Sequence, residues 1–359
     1  MRYSVLISDI LTYISASLLL AKLIKSQALA IVLLLYPGLI LIDHGHFQYN
    51  SVSIGLSLFS YISFINNHDI IGTILFCLAL NFKQMLLYYS LPIFSYLLGK
   101  CFKLNLYNLI KKFLKLSLTV LITFFLLWLP FINVIKFVFI RLFPIERGLF
   151  EDKVSNFWCL INVFIKIRNY FNNDQLAILC ALITFITVLP TCYDLFKNPN
   201  EKKFILSLIN SSLSFFLYSY QVHEKTILIV SMPIILYYNY EPIISLWFLL
   251  ITSLSMLPLL IKDGLIIPTI SLNLIFLITC CFLITNIQIK FKFNLFSKSF
   301  LLLLSFILSL IIIILCLYGP IPKKYPDLYS LIVSVYSAIH FICFFIYFNY
   351  VQLIKFKLN

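Results

Sequence analysis

The chain contains 359 residues, of which 62% are hydrophobic and 11% are charged, and its mean hydropathy is +1.02. Ordinary soluble domains are about half apolar and about one quarter charged, so too little polar surface is present here to cover a water-soluble globule. This composition excludes soluble Rossmann, barrel and sandwich folds as well as intrinsic disorder. The formal charge of +14 would suggest a nucleic-acid partner for a soluble protein, but these basic residues lie in short clusters between apolar stretches, as in cytosolic loops of membrane proteins. We therefore predict a membrane protein with no nucleic-acid partner.

Apolar stretches long enough to cross a bilayer recur along the whole chain. They occupy residues 4–23, 27–42, 51–65, 70–98, 107–129, 174–194, 203–220, 225–239, 243–261, 265–287, 299–318 and 328–350. The 70–98 stretch is long enough for two short helices, so we predict about 12 or 13 transmembrane helices. No soluble domain, fixed-period repeat or low-complexity linker interrupts them. The fold class predicted for residues 1–359 is a single all-α, polytopic integral membrane domain.

The distribution of lysine predicts the orientation of these helices, because cytosolic loops carry an excess of Lys and Arg. The lysines expected to face the cytosol are Lys100, Lys103, Lys111, Lys112, Lys115, Lys197, Lys202, Lys203, Lys290, Lys292, Lys298, Lys355 and Lys357. Counting helices between these clusters places residues 43–50, 81–84, 131–158 and 221–225 together on the opposite, lumenal side. Those four segments hold most of the unusual polar residues.

The first polar segment, LIDHGHFQYNSVSIGL at residues 41–56, lies between two apolar stretches. Polar groups near membrane depth persist mainly where they face a polar cavity or one another. We predict that Asp43, His44, His46, Gln48 and Asn50 converge on a polyhydroxylated or phosphorylated ligand. The alternative is a hydrated turn whose histidines cap the adjoining helices. A metal site is a weaker alternative, since D-H-x-H matches no recognised ligand spacing, and the nine cysteines, which show no metal-ligand spacing either, are assigned to packing.

The segment SYQVHEKTILIVSMP at residues 219–233 places His223, Glu224 and Lys225 consecutively between apolar residues. Neighbouring residues on a helix point about 100° apart, so the three cannot all contact one ligand atom. We predict that His223 or Lys225 faces a phosphate, while the others form supporting ion pairs. A purely structural Glu–Lys pair is the alternative.

Three further basic residues are candidates for binding an anionic group. Arg141 and Arg147 belong to RLFPIERGLFEDKVSNFWCLIN, which has the character of an amphipathic interfacial segment. Arginine suits bidentate phosphate recognition, so both are candidates for a head group near the bilayer surface; the alternative is snorkelling to lipid phosphates. Lys83 follows a predicted helix in NFKQM, where a lone lysine is more often an interface anchor than a ligand.

These segments, in order, resemble a known family. LIDHGHFQYNSVSIGL, LNFKQMLLYYSLPIFSYLLGK, RLFPIERGLFEDKVSNFWC, YQVHEKTILIVSMP, SMLPLLIKDG and YPDLYSLIV are similar to segments of the dolichyl-phosphate-glucose-dependent glucosyltransferases of asparagine-linked glycan assembly. The resemblance covers about residues 3–350. It implies a GT-C type glycosyltransferase fold in the endoplasmic reticulum membrane, with a lumenal active site and a lipid-linked sugar donor.

Within that family, FKQMLLYY and RGLFEDKVSNFWC resemble the members that act first. The resemblance therefore implies transfer of glucose from dolichyl-phosphate-glucose, in α-1,3 linkage, to dolichyl-pyrophosphate Man9GlcNAc2. Two alternatives stay open: the second glucosyltransferase, which acts on the Glc1Man9 lipid, and a truncated, non-catalytic membrane relative. Composition alone would also allow a transporter.

The resemblance also reveals a difference. The family has a further N-terminal region with a first transmembrane helix, a large lumenal loop that carries the presumed catalytic base, and a D-Y-P-P-L motif. In this chain, similarity to the interior of the family's sequence begins with VLISDILTYI at residues 5–14. We therefore expect that the protein is truncated or that the gene model starts too late.

The implied reaction is one inverting displacement, in which an acceptor hydroxyl attacks the anomeric carbon and a lipid phosphate leaves. It needs a carboxylate base and cationic groups around the phosphate. The resemblance implies catalytic roles for His223, Lys225 and Glu224. It implies substrate contacts for Asp43, His44, His46, Gln48, Asn50, Lys83, Arg141 and Arg147. If the chain is complete, Asp43 and Glu224 are the only substitutes for that base. No metal or cofactor is required, since protein cations can neutralise one phosphate.

Overall fold

The computed structural model describes residues 2–142, 154–286, 298–320 and 322–355. All regular secondary structure in these ranges is helical, as the composition predicts. The helices, in chain order, are α1 Tyr3–Ile24, α2 Gln27–Gly45, α3 Asn50–Ile65, α4 Asp69–Phe82, α5 Gln84–Phe102, α6 Leu106–Trp128, α7 Ile135–Leu142, α8 Phe157–Phe164, α9 Asn173–Lys197, α10 Glu201–Tyr218, α11 Ile227–Tyr237, α12 Pro242–Ser255, α13 Leu257–Lys262, α14 Ile266–Asn286, α15 Lys298–Tyr318 and α16 Leu328–Tyr350.

Eight helical segments in the described ranges are long and apolar enough to cross a membrane, and α3, α4 and α12 are shorter apolar helices. The chain is therefore a polytopic membrane protein. The prediction of two helices within residues 70–98 is confirmed, because α4 ends at Phe82 and α5 follows from Gln84.

The centre of the bundle is formed by α10, α11 and α12, whose side chains are buried along almost their entire length. The exposed hydrophobic side chains concentrate on peripheral helices such as α6, whose most apolar stretch has no buried residue. In a bilayer such side chains face lipid, so the outer surface is as apolar as the core.

Several of the predicted cytosolic lysines in the described ranges form ion pairs with carboxylates, while Lys290, Lys292 and Lys357 lie outside the described residues. Lys100 and Lys112 lie 2.5 and 2.6 Å from the two carboxylate oxygens of Asp69. Glu241 contacts Lys298 and Lys355 in the same way. These pairs stand at the ends of α4, α5 and α11, and they leave the opposite ends of the helices for the other polar segments.

α3 packs against α1 through a close backbone approach at Gly55. A Cβ atom at this position would lie 2.6 Å from the carbonyl carbon of Thr12 and from the amide nitrogen of Tyr13. Since backbone cannot move aside as a side chain can, Gly55→Ala is expected to destabilise the protein by about 1–3 kcal/mol. Thermal unfolding in detergent should show a lowered Tm. Ala181→Val is the control, because Ala181 is exposed on α9; equal Tm values for the two variants would contradict the close approach.

Candidate functional site

The polar segment at residues 41–50 is organised around a buried carboxylate. Residues Leu41–Gly45 form a π-helical turn that places Asp43 against the first turn of α3. Its two oxygens accept hydrogen bonds from the Asn50 side-chain amide and from the Ser51 backbone N–H, both at 2.6 Å. A carboxylate in this position satisfies a free N–H group and complements the positive end of the helix dipole. Asp43 therefore fixes the start of α3.

Asn50 connects this carboxylate to a lysine from another helix. Lys83, at the junction between α4 and α5, donates a hydrogen bond from Nζ to the Asn50 side-chain oxygen. The Asn50 amide also donates to Gln48 Oε1 at 3.2 Å. Burial lowers the pKa of Lys83 to about 8, and nearby Lys225 lowers it too, while Asp43 has the opposite effect. Lys83 is thus a cation in a largely desolvated position.

A cavity of about 250 Å³ lies beside this network. It unites side chains from three of the polar segments that the sequence singles out. Its lining residues are Gln48, Asn50, Lys83, Met85, His223, Lys225, Thr226 and Ile229. Two lysines, a histidine and two side-chain amides supply hydrogen-bond donors at one place, which suits an anionic, hydroxylated ligand.

The residues 223–226 reach the cavity from the short connection between α10 and α11. His223 has an extended backbone and precedes the 3₁₀ turn Glu224–Thr226, which leads directly into α11. The His223 side chain is exposed and lines the cavity. The following turn brings Lys225 to the same cavity.

Two histidines predicted to contact ligand are instead engaged with carboxylates behind the cavity. His46 Nδ1 lies 2.6 Å from Asp263 Oδ2, and its Nε2 lies 3.2 Å from Lys225 Nζ. His44 Nε2 lies 2.6 Å from Asp9 Oδ2 on α1. Because these partners differ, the residues of the D-H-x-H pattern diverge and do not form the metal site that was the weaker alternative.

A larger groove of about 860 Å³ adjoins the cavity, and Lys83 and Met85 line both. Its walls are mainly apolar and come from α4, α5, α6 and α7. Arg141 lies at the groove, and Trp128 Nε1 donates to Asn81 Oδ1 at 2.6 Å. The combination of a polar cavity and an apolar groove matches a ligand with a charged head and a long hydrocarbon chain.

The remaining predicted site residues are Asp43, Glu224 and Arg147. Asp43 is completely buried behind Asn50 and does not line the cavity. Glu224 is partly exposed in the turn beside His223, and it too is absent from the cavity lining. Arg147 lies outside the described residues.

Sequence reasoning missed Asp263 as a site residue, although it belongs to SMLPLLIKDG, one of the segments that carry the family resemblance. The signal was a carboxylate next to an apolar helix, similar to the pattern that singled out Asp43. It also missed Thr226, Met85 and Ile229, which are ordinary apolar or small polar residues at the start of helices. Such residues carry no chemical signature in a sequence.

The sequence of the chain matches the ALG6, ALG8 glycosyltransferase family over residues 1–348. The chain belongs to this family. It is therefore a multispan membrane glycosyltransferase, as the resemblance predicts. The family membership also confirms the all-α, polytopic fold class.

Individual members of the family are similar over most of their length. The chain is 44% identical to the dolichyl pyrophosphate Man9GlcNAc2 alpha-1,3-glucosyltransferase of Gallus gallus, covering 98% of this chain and 76% of that protein. The Rattus norvegicus protein of the same name is 42% identical, with 98% and 75% covered. A probable enzyme of this name from Dictyostelium discoideum is 41% identical, with 97% and 74% covered.

Proposed function

We propose that this protein transfers glucose from dolichyl-phosphate-glucose, in α-1,3 linkage, to dolichyl-pyrophosphate Man9GlcNAc2. The observation that carries the proposal is the junction of the cationic cavity with the apolar groove at Lys83. A polyprenyl phosphate sugar has the corresponding parts: a hydrocarbon chain, a single phosphate and a sugar. The names of the similar proteins support the acceptor and the linkage.

In the proposed complex, the hydrocarbon chain of the donor occupies the groove and its phosphate lies near Lys83. Lys225 and His223 surround the phosphate from the other side of the cavity. The glucose then contacts the Gln48 amide, which can bind sugar hydroxyls, and the side-chain oxygen of Asn50, which has a second lone pair beside its contact with Lys83. Arg141 lies on the groove side and would contact the phosphate or a neighbouring lipid head group. This arrangement needs no metal, because protein cations neutralise the one phosphate.

The reaction proposed is a single displacement with inversion. The acceptor hydroxyl oxygen forms a bond to the anomeric carbon, the bond from that carbon to the phosphate oxygen breaks, and the β-linked donor yields an α-linked glucose. Negative charge grows on the departing phosphate, so Lys83, Lys225 and His223 stabilise the transition state more than the ground state. These three residues are the proposed leaving-group site.

The hydroxyl proton must pass to a base. Asp43 does not suit that role, because its carboxylate is buried and both oxygens already accept hydrogen bonds. Its proposed function is to position Asn50, and through it Lys83. Glu224, the other predicted carboxylate, is partly exposed next to His223 but does not line the cavity.

We further propose that the site faces the lumen of the endoplasmic reticulum. The lysine-rich end of the bundle would then face the cytosol, in agreement with the positive-inside rule. The cavity residues stand at the opposite ends of α2, α4 and α10 from the ion pairs of Asp69 and Glu241. A protease-protected tag inserted after Tyr318 and an accessible one after Asn198 in sealed microsomes would support this orientation, and the reverse result would contradict it.

The test of the main proposal is glucose transfer in membranes from glucosylation-deficient cells that express this protein. Radiolabelled dolichyl-phosphate-glucose is supplied with either the Man9 or the Glc1Man9 lipid. Label on the Man9 lipid alone is expected. Transfer only to Glc1Man9 would identify the second glucosyltransferase instead, and no transfer with verified protein in the membrane would contradict an enzymatic role.

The pH dependence of the reaction should report the protonation state of Lys83. With a pKa of about 8 in the free protein, this lysine loses its charge as the pH rises through that value. Because only the protonated form attracts phosphate, kcat/KM for the donor is expected to decline above about pH 8. Arginine stays charged throughout this range, so Lys83→Arg should move the decline to higher pH. An unchanged alkaline limb in this variant would show that another group titrates.

A further inference from the structure

The segment LLIKDG ends the short helix α13 in a Schellman motif. The Leu265 amide donates to the Leu260 carbonyl at 2.8 Å, and the Gly264 amide donates to the Ile261 carbonyl at 3.0 Å. Gly264 has φ +71°, a left-handed conformation that suits glycine at this position. The motif fixes the backbone at Asp263, the residue immediately before the glycine.

A second contact holds this helix end against the polar segment. A Cβ atom at Gly45 would lie 2.6 Å from a methyl carbon of Leu265. A side chain at Gly45 would therefore displace the Leu265 side chain from its present position. Gly45 immediately precedes His46 and Leu265 lies two residues after Asp263, so this contact brings the imidazole and the carboxylate near each other.

The imidazole links the carboxylate to the cavity. With Asp263 Oδ2 at 2.6 Å, His46 Nδ1 carries the proton and donates it in a hydrogen bond. In the neutral ring the other nitrogen, Nε2, is then an acceptor, since the hydrogen bond at one ring nitrogen determines the state of the other. Lys225 Nζ lies 3.2 Å from Nε2 and donates to it. Asp263 therefore contacts His46, His46 contacts Lys225, and Lys225 lines the cavity.

We propose that Asp263 is a positioning residue that acts on the donor phosphate through His46 and Lys225. Its carboxylate selects the imidazole tautomer whose Nε2 accepts a hydrogen bond from the lysine ammonium, and this contact fixes the Lys225 charge where it lines the cavity. The inference rests on the proposed function, because it takes a lipid phosphate as the ligand of Lys225.

The exposure of the pair favours this role over a purely structural one. The side chains of His46 and Asp263 are 24% and 27% exposed. Partly exposed polar contacts to a charged group contribute little to stability, because water and salt screen them. Asp263 is also well placed to work at a distance from the ligand, since it does not line the cavity itself.

The experiment is a double-mutant cycle between Asp263 and Lys225 with two measurements. Binding of dolichyl phosphate to the detergent-solubilised protein is measured first, followed by kcat/KM for glucose transfer. Asp263→Ala is expected to weaken each about tenfold, the lower end of the loss seen when a carboxylate that orients a metal-ligating histidine is removed. Lys225→Ala should reduce kcat/KM about 100-fold, and the double variant should be no worse than Lys225→Ala, since residues that act as a unit are not additive.

The outcomes separate this role from the alternatives. Losses that multiply in the double variant, or an Asp263→Ala variant that binds and transfers normally, would overturn the proposal. Asp263→Asn keeps an oxygen that can accept a hydrogen bond from Nδ1–H, so it should recover most of the loss. If the alanine variant fails to fold, His46→Ala takes its place in the cycle, because it breaks the same connection to Lys225. Asp174→Asn removes an exposed carboxylate from the start of α9 and is the control for charge. In a last case, the losses of dolichyl phosphate binding in the double-mutant cycle are non-additive, but neither the parent protein nor any variant transfers glucose. That result would support the positioning role of Asp263 and contradict the proposed function.

Discussion

Lys83→Met is expected to lower kcat/KM for glucose transfer by about 100-fold to 1000-fold, as does removal of one preorganised group that stabilises developing negative charge. Lys83 and Met85 line both the cationic cavity and the apolar groove, and Lys83 is the charged one of the two. The substitution keeps the length of the side chain but removes its charge at the point where the lipid phosphate is proposed to leave. Label transfer from dolichyl-phosphate-glucose at several donor concentrations separates the effect on kcat from that on KM.

The control for this variant is Lys323→Met, which removes an exposed lysine outside both the cavity and the groove. It should transfer glucose at the rate of the parent protein. Since Lys83 also donates to Asn50, the Tm of each variant in detergent must be measured as well. A Lys83→Met protein with normal Tm and normal kcat/KM would remove Lys83 from the site.

His223→Ala should lower kcat/KM about 100-fold through loss of one leaving-group contact, with no loss of protein from the membrane. The side chain lines the cavity and is exposed, so its removal leaves no void in the core. The measurements are the same transfer assay and the amount of protein in isolated membranes. Unchanged transfer would remove this residue from the mechanism.

Two companion variants sharpen that result. His223→Gln keeps a hydrogen-bond donor at the position and should retain more activity than alanine if neutral hydrogen bonding to phosphate is what matters. His340→Ala is the control for loss of an imidazole, because His340 lies on α16 and does not line the cavity. A fall in transfer as large in this control as in His223→Ala would indicate a general response to histidine loss.

The polar segments themselves were predictable from the sequence. Ionisable residues are costly near membrane depth, so the clusters at 43–50 and 223–225 stood out against an apolar background. For these clusters and Lys83, the sequence predicted only that they lie on the same side of the membrane. The individual roles were less predictable: Asp43, His44 and His46 belong to the same short run as Gln48 and Asn50, yet only the last two line the cavity.

The reason is the local backbone. The π-helical turn Leu41–Gly45 and the left-handed Phe47, with φ 58°, change the direction of successive side chains within a few residues. No simple periodicity predicts such a turn, so hydrophobic patterning cannot say which residue of the run points inward. The same limit applied to Lys83, which the sequence favoured as an interface anchor and the structure places beside Asn50.

The sequence by itself determined that this is a helical membrane protein of the glucosyltransferase family, because composition, apolar length and ordered motifs are local properties of the chain. Only the tertiary structure decided that the two ring nitrogens of His46 contact Asp263 and Lys225. It also decided that Lys83 lines both a polar cavity and an apolar groove. His46 and Asp263 are separated by 217 positions along the chain. Contacts over such separations depend on how the helices pack, which no single segment specifies.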